Sequence, residues 1–412
     1  MTQTLTALAD SGAVLEHAAR QLTDPAVVRP SPDGRIGPQS LAGGAAGIAL
    51  LHLERAAAGT GDDATARTWV RAAAAGPVSA GPNANLFHGA PTLALMLHTA
   101  AGVLGGYQHT FAAVDERTTA LTRDRLAAAH DRIDRGLPLP MREFDLVHGL
   151  TGLGVYHLRA HPDQPITRDV LAYLVRLTEP LTGPDARVDW AGRPPWWLDS
   201  GLAGMPNPQF PHGHGNLGVA HGISAVIALL ALSVLGGHEP PGARDALTRL
   251  CAWTDLYHRH DHTGPWWPGW ITDHCRPERQ RPSWCYGTAG TARAHHLAGL
   301  ALNDPARQHQ AETAMLAALR HRTGLTGIGL CHGIAGLLQA AWRTATTSRH
   351  PAMAVQLRAE LLALTSDLAR QLGTEASGSP EFMDGAAGAA LALHTFHADA
   401  CVTGWDAFLL LS

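Results

Sequence analysis

Two short segments of this chain set a cysteine in the same place before a glycine turn. They are Cys285 in SWCYGTAG (283–290) and Cys331 in CHGIAG (331–336), where His332 follows at once. Soft thiolates with an imidazole suit a tetrahedral zinc ion, with bonds of about 2.0–2.3 Å. Cys285, Cys331 and His332 could supply three ligands and leave a fourth position open, the mark of catalytic rather than structural zinc. The two cysteines are 46 residues apart, which fits no zinc-finger rule, and a buried cysteine on its own usually serves as a small hydrophobe. Their claim to a metal rests on the equivalence of the two positions.

That equivalence comes from a repeat. A glycine turn followed by a small, aliphatic, helix-forming stretch occurs seven times, with first glycines at Gly44, Gly89, Gly149, Gly222, Gly287, Gly333 and Gly385. Five copies carry a second glycine three residues on; Thr92 and Ala225 replace it in the second and fourth. Between the turns lie amphipathic stretches with apolar residues at i, i+3, i+4 and i+7, among them 5–22, 118–135, 168–181, 243–258, 305–320 and 352–372. A helix apolar all round is buried. The unit therefore reads as a polar-faced outer helix, a loop and a buried inner helix, and seven such units predict an all-α protein, an α/α toroid of seven inner and seven outer helices. One ring uses the whole chain, so a single domain spanning 1–412 is expected in place of the two or three that length alone suggests. Residues 101–140 either continue the repeat or form an inserted module. The glycines are expected to serve a left-handed or tight turn and the close approach of the inner helices.

A ring makes equivalent positions comparable. The slot before the first glycine reads Gly43, His88, His148, His221, Tyr286, His332 and Asp384, unusually polar for such apolar helices, and the slot before that holds Cys285 and Cys331. Residues in one slot should face one central region. His88, His148, His212, His214 and Asp384 are left outside the core site, since 25 histidines guarantee several without a role. The tryptophans of 190–200 and 265–270 either cap the core or lie exposed where a peptide could cross them.

Composition narrows the partners. Apolar residues make up 45% and charged ones 16%, which excludes a disordered chain. The net charge is −4, every basic residue is Arg, and no basic run appears, which argues against nucleic acid and anionic membrane. Asp10 and Glu16 interrupt the opening where a signal peptide needs an unbroken apolar run, which points to the cytoplasm. The most apolar window, 217–235, contains His221, Ser224 and Ser233 and reads as a buried helix, not a membrane span. Five cysteines, an odd number, do not suit a disulfide framework; Cys251, Cys275 and Cys401 are not expected to bind metal.

SWCYGTAG, CHGIAG, GNLGVAHGISA (215–225) and DLVHGLTG (145–152) together resemble the signatures of LanC-type lanthionine cyclases, over nearly the whole chain. The resemblance implies an α/α toroid, in agreement with the repeat, and one zinc ion per chain at Cys285, Cys331 and His332. It further implies an acid/base histidine at His221, a supporting carboxylate at Asp145, an active-site arginine at Arg281 and an aromatic neighbour at Tyr286. Arg281 would meet a developing oxyanion or a substrate carbonyl; beside Arg276 and Arg279 it could also be a solvated loop charge. The implied activity is thioether ring formation, in which a peptide cysteine adds to a dehydroalanine or dehydrobutyrine of a dehydrated precursor peptide with a leader. A separate dehydratase, and a membrane-associated biosynthetic complex, are implied as surroundings. Two readings compete: addition of glutathione or another small thiol to dehydroamino acids, and a zinc-bearing module that binds the peptide without catalysis. Ala225 stands where the family often has glycine and Gly215 where a larger residue is common, which leaves local pocket shape open.

Overall fold

Each glycine turn opens a helix, and each connecting stretch supplies another. The computed structural model describes residues 2–29, 37–186, 192–201, 205, 208–273, 278–374 and 378–412, with side chains from residue 10. After α1 (Thr2–Gln21) come the pairs α2 (Ala45–Ala57) and α3 (Asp63–Ala73), then α4 (Ala90–Leu104) and α5 (Gln108–Arg135). A single turn, α6 (Met141–Phe144), precedes α7 (Leu150–Ala160) and α8 (Pro165–Arg176), followed by α9 (Ile223–Leu235) and α10 (Ala243–Asp255). The last pairs are α11 (Thr288–Leu302) with α12 (Pro305–Arg320) and α13 (Ile334–Thr347) with α14 (Pro351–Thr374), before α15 (Ala386–Ala398).

The inner helices α2, α4, α7, α9, α11, α13 and α15 touch one another in that order, and α15 returns to α2. The ring is closed. Every position of α11 is buried except the last, Leu302, including Arg293, His295 and His296, whose polar atoms find partners inside. The outer helices show the opposite pattern: α3 buries only Ala66, Trp69, Val70 and Ala73, an i, i+3, i+4, i+7 stripe. The pairing differs in phase from the sequence expectation, because each inner helix packs chiefly on the outer helix that follows it, and α1 packs on α14 and α15. The N-terminal helix thus covers the last inner helix and completes the outer ring. Residues 101–140 continue the repeat as the end of α4 and the 28-residue α5; no inserted module is present among them.

The glycines act mainly through space. Most of the turns' first glycines have extended backbone, such as Gly333 at φ −108° and Gly222 at φ −131°; Gly89, at φ +82°, is the left-handed one. The recurring constraint sits at the second glycine, where a Cβ on Gly336 would lie 2.0 Å from the Leu330 carbonyl oxygen and one on Gly290 2.0 Å from that of Trp284. In the second copy the Thr92 hydroxyl donates instead to the equivalent carbonyl, Leu86, at 2.7 Å.

Two further features were not expected. The segment 401–412 runs into the bore: Trp284 donates to the Leu409 carbonyl at 2.9 Å, Arg293 to that of Leu411 at 2.8 Å, and Arg343 to Asp406 at 2.6 Å, joining α11 and α13 to the tail. Two small antiparallel pairs also occur, β1 (Gly215–Asn216) with β4 (Trp270–Ile271) and β2 (Arg259–Asp261) with β3 (Gly264–Trp266). The first fixes the loop that carries Asn216. Gly215 lies under the Trp253 ring, which a Cβ would meet at 2.6 Å. Trp196, Trp197, Trp266 and Trp267 are buried and Trp270 half-buried, so these rings cap the core; Trp190 lies outside the described residues.

Candidate functional site

The slots align because main-chain hydrogen bonds tie one turn to the next. The amides of Val219 and Ala220 donate to the Cys285 carbonyl (3.0 and 3.3 Å), that of Cys285 to Cys331 (3.1 Å), that of Cys331 to Met383 (3.0 Å) and that of Met383 to Ala42 (3.0 Å). Leu41 continues the series to Phe87 at 2.9 Å. Around the third turn, among the described residues, side chains take over. Arg125 of α5 donates to the carbonyls of His148 and Ala84, and Asp145 reaches His221. The positions of Cys285 and Cys331 are therefore set by backbone, while that of His221 relative to the third turn is set by a carboxylate.

Cys285, Cys331 and His332 come together, with ligand atoms all within 4.8 Å of one another. Corners of a tetrahedron with bonds of about 2.0–2.3 Å lie about 3.3–3.8 Å apart, so the set closes on one ion with little movement. Its electrostatics point the same way. The hydrogen bond from Cys331 holds the Cys285 thiol well below the usual thiol range, while that bond and burial push Cys331 far up. The two sulfurs share one negative charge, and the hydrogen bond to Cys285 raises His332. A divalent cation would let both sulfurs ionise, so the donor set suits zinc. The Asp384 carboxylate lies 3.5 Å from His332 Nδ1, where it can steady the ring.

A second cluster lies beside the first. Asp145 is fully buried and caps α6; its Oδ2 accepts from His221 Nδ1 at 2.6 Å and from His148 Nδ1 at 3.2 Å, and its Oδ1 from the His148 amide at 2.6 Å. Burial works to raise the Asp145 pKa, but the bonds from His148 and His221 outweigh it and hold the carboxyl below its usual range. The His148 and His221 rings stack at 5.6 Å. Tyr286, adjacent to Cys285, also stacks on His221 with centroids 6.2 Å apart, and its hydroxyl accepts from Asn216 Nδ2 at 2.9 Å. Burial pushes the Tyr286 hydroxyl pKa well up, so it stays protonated.

Arg281 is exposed, and its charge reaches the thiol cluster, favouring ionised Cys331 and Asp384. Arg279 belongs elsewhere: it pairs with Asp261 at 2.6 Å. Arg276 and Cys275 lie outside the described residues. Cys251 is buried in α10 and pushed up to about 12 by burial, and burial also raises Cys401, so neither is a reactive thiol. Sequence reasoning left out His148, Asn216 and Asp384. Their signals were present: His148 and Asp384 occupy the polar slot, and His148 stands three residues after Asp145.

Nisin biosynthesis protein NisC of Lactococcus lactis subsp. lactis is 22% identical over 285 residues, covering 65% of this chain and 64% of that protein. The aligned region thus spans under two thirds of the curated relative. A solved structure of a nisin cyclase superposes with a TM-score of 0.75 at 19% identity, covering 91% of this chain and 92% of that one, and so shares the fold. The family described as lanthionine synthetase C-like protein matches residues 35–410, nearly the full ring, and the chain belongs to that family.

Proposed function

We propose that the whole chain, residues 1–412, works as one zinc-dependent cyclase that forms lanthionine or methyllanthionine thioether rings. The observation that carries this reading is the meeting of a two-thiol, one-imidazole cluster and a carboxylate–histidine pair across a single tyrosine ring. A zinc ion held by Cys285, Cys331 and His332 would supply thiol activation, keeping an incoming thiol ionised at neutral pH although a free one titrates near 8.5. The substrate is a dehydrated precursor peptide with a leader, prepared by a separate dehydratase.

In the reaction the cysteine sulfur forms a C–S bond to the β-carbon of the dehydroamino acid. The double-bond electrons move toward the carbonyl, and the resulting enolate takes a proton at Cα. The proton given up by the thiol balances the one delivered at Cα, and His221 is the donor: Asp145 holds its Nδ1–H, so the proton passed to the substrate is the one on Nε2. Arg281 adds positive charge at the rim for the developing oxyanion, and Tyr286 walls the space between the clusters. Among the described residues no helix is long and apolar enough to cross a membrane; we place the enzyme in the cytoplasm, meeting the dehydratase in a membrane-associated complex.

The test is zinc content and turnover together. After exhaustive dialysis the parent should keep one zinc per chain, Cys331→Ala none, and Cys331→Ala should close no rings. His221→Phe should keep its zinc and lose turnover. Full zinc occupancy in Cys331→Ala would refute the ligand assignment, and parental turnover by His221→Phe would remove His221 from protonation. A dehydroalanine peptide lacking cysteine, offered with glutathione, should react far more slowly than intramolecular closure.

A further inference from the structure

On the outer face, three further ligand-bearing residues converge. His309 and Glu312 lie one turn apart on α12, and His350 immediately precedes α14; their ligand atoms are all within 4.8 Å of one another. The His309 and His350 rings meet edge to face with centroids 5.5 Å apart. Glu312 is fully buried, His350 partly so, and His309 exposed, so the cluster has a buried carboxylate at its base and an open mouth.

What stands behind the carboxylate fixes it. Arg293, buried in α11, has only donors, so its contact with His296 Nδ1 at 3.1 Å makes that nitrogen an acceptor. His296 Nε2–H then donates to Glu312 Oε1 at 3.2 Å, while Oε2 takes His350 Nδ1 at 2.7 Å. Burial works to raise the Glu312 pKa, but these bonds outweigh it and keep the carboxyl ionised at neutral pH. His296 and His350 already give hydrogen bonds to both Glu312 oxygens, so His309 is not needed as a donor to the carboxylate. Two imidazoles and an oriented carboxylate, open on one side, are a zinc-type ligand set once a cation takes the place of the proton between His350 Nδ1 and Glu312 Oε2.

We propose that His309, Glu312 and His350 form a second, surface site for a divalent metal of the zinc class. The site joins α12, the outer partner of α11, to the start of α14, the outer partner of α13. These are the two repeats whose turns carry Cys285 and Cys331, so a metal here braces on the outside the same pair of repeats that the thiols join on the rim. With three ligands and an open mouth, it binds more weakly than the thiolate site and exchanges its metal.

The probe is metal alone, added to the untagged chain. Cobalt distinguishes the sites, because only the cysteine site gives a sulfur-to-metal charge-transfer band. The parent should take up a second equivalent of cobalt that adds visible absorption without strengthening that band. His309→Ala, at an exposed position, should leave the first equivalent intact and weaken the second about tenfold or more, as losing even an indirect metal support does. His350→Ala should do the same. Uptake that stops at one equivalent would overturn the proposal, as would a second equivalent indifferent to both substitutions. Zinc titration by calorimetry after the cobalt sites are assigned should give the same stoichiometry.

Discussion

Replacing Asp145 with asparagine keeps the side chain's shape and removes its charge. Three donors converge on this fully buried carboxylate, from His221, from the His148 ring and from the His148 amide. A hydrogen bond to a charged group contributes about 1.5–3 kcal/mol, and each 1.36 kcal/mol is a tenfold change in rate. If the His221 bond acts in the protonation step, Asp145→Asn should slow ring closure by about ten- to 150-fold. The assay is single-turnover closure of a synthetic peptide with one cysteine and one dehydroalanine, corrected for uncatalysed closure. Because the Asp145 carboxyl is held below its usual range, it is ionised throughout neutral pH, and the deficit should persist between about pH 5.5 and 8. Cobalt bound at the cysteines should keep its charge-transfer band, since Cys285 and Cys331 are positioned through other turns. Closure within about twofold of the parent at every pH, well short of the loss of one charged hydrogen bond, would refute the assignment. A slow variant that has also lost the cobalt band would show disturbed folding instead.

Gly336→Ala places a Cβ 2.0 Å from the Leu330 carbonyl oxygen and 3.2 Å from the Trp284 side chain, so the sixth turn must shift. Thermal and denaturant unfolding should show a loss of about 1–3 kcal/mol, together with weaker metal retention, and an unchanged midpoint would contradict the packing argument. Asp406, fully buried in the tail, accepts from Arg343, Gln339 and Ser412; burial raises its pKa, but Arg343 and these bonds bring it below the usual value. A depressed folded pKa gives stability that is present above the unfolded value and lost as pH falls through the folded one. Asp406→Asn should therefore cost about 3–5 kcal/mol at neutral pH and converge on the parent in acid; equal deficits at pH 7 and in strong acid would count against it.

The ring was legible because its signal is periodic. Gly-x-x-Gly turns alternating with amphipathic stretches announce fourteen helices in two rings, and the two-thiol cluster follows from equal slots in adjacent copies. What the sequence hid is non-periodic. The tail 401–412 has no counterpart in any repeat, so nothing in its local pattern says that Trp405 and Leu409 fill the bore. The phase of the pairing was invisible too, since an outer helix flanked by two inner ones carries the same apolar stripe whichever it favours. His148 was passed over because slot membership alone does not separate a ligand from a bystander; its position three residues after Asp145, on one turn, was the discriminating sign.

The way the ring is joined also explains where chemistry can sit. From the fourth turn round to the second, backbone donates to backbone, and such links tolerate many side chains at the slot itself. Cysteine, histidine, tyrosine and aspartate can therefore occupy equivalent slots without changing the frame that aims them. At the third turn the backbone links give way to Arg125 and Asp145, so side-chain identity carries part of the architecture there. Asp145 thus does two things with one carboxylate: its Oδ1 closes its own turn on the His148 amide, and its Oδ2 reaches the next turn at His221. A substitution that frees His221 also loosens the seam between the third and fourth repeats, and for that reason rate, stability and metal retention have to be read on the same variant before any one of them is assigned to catalysis.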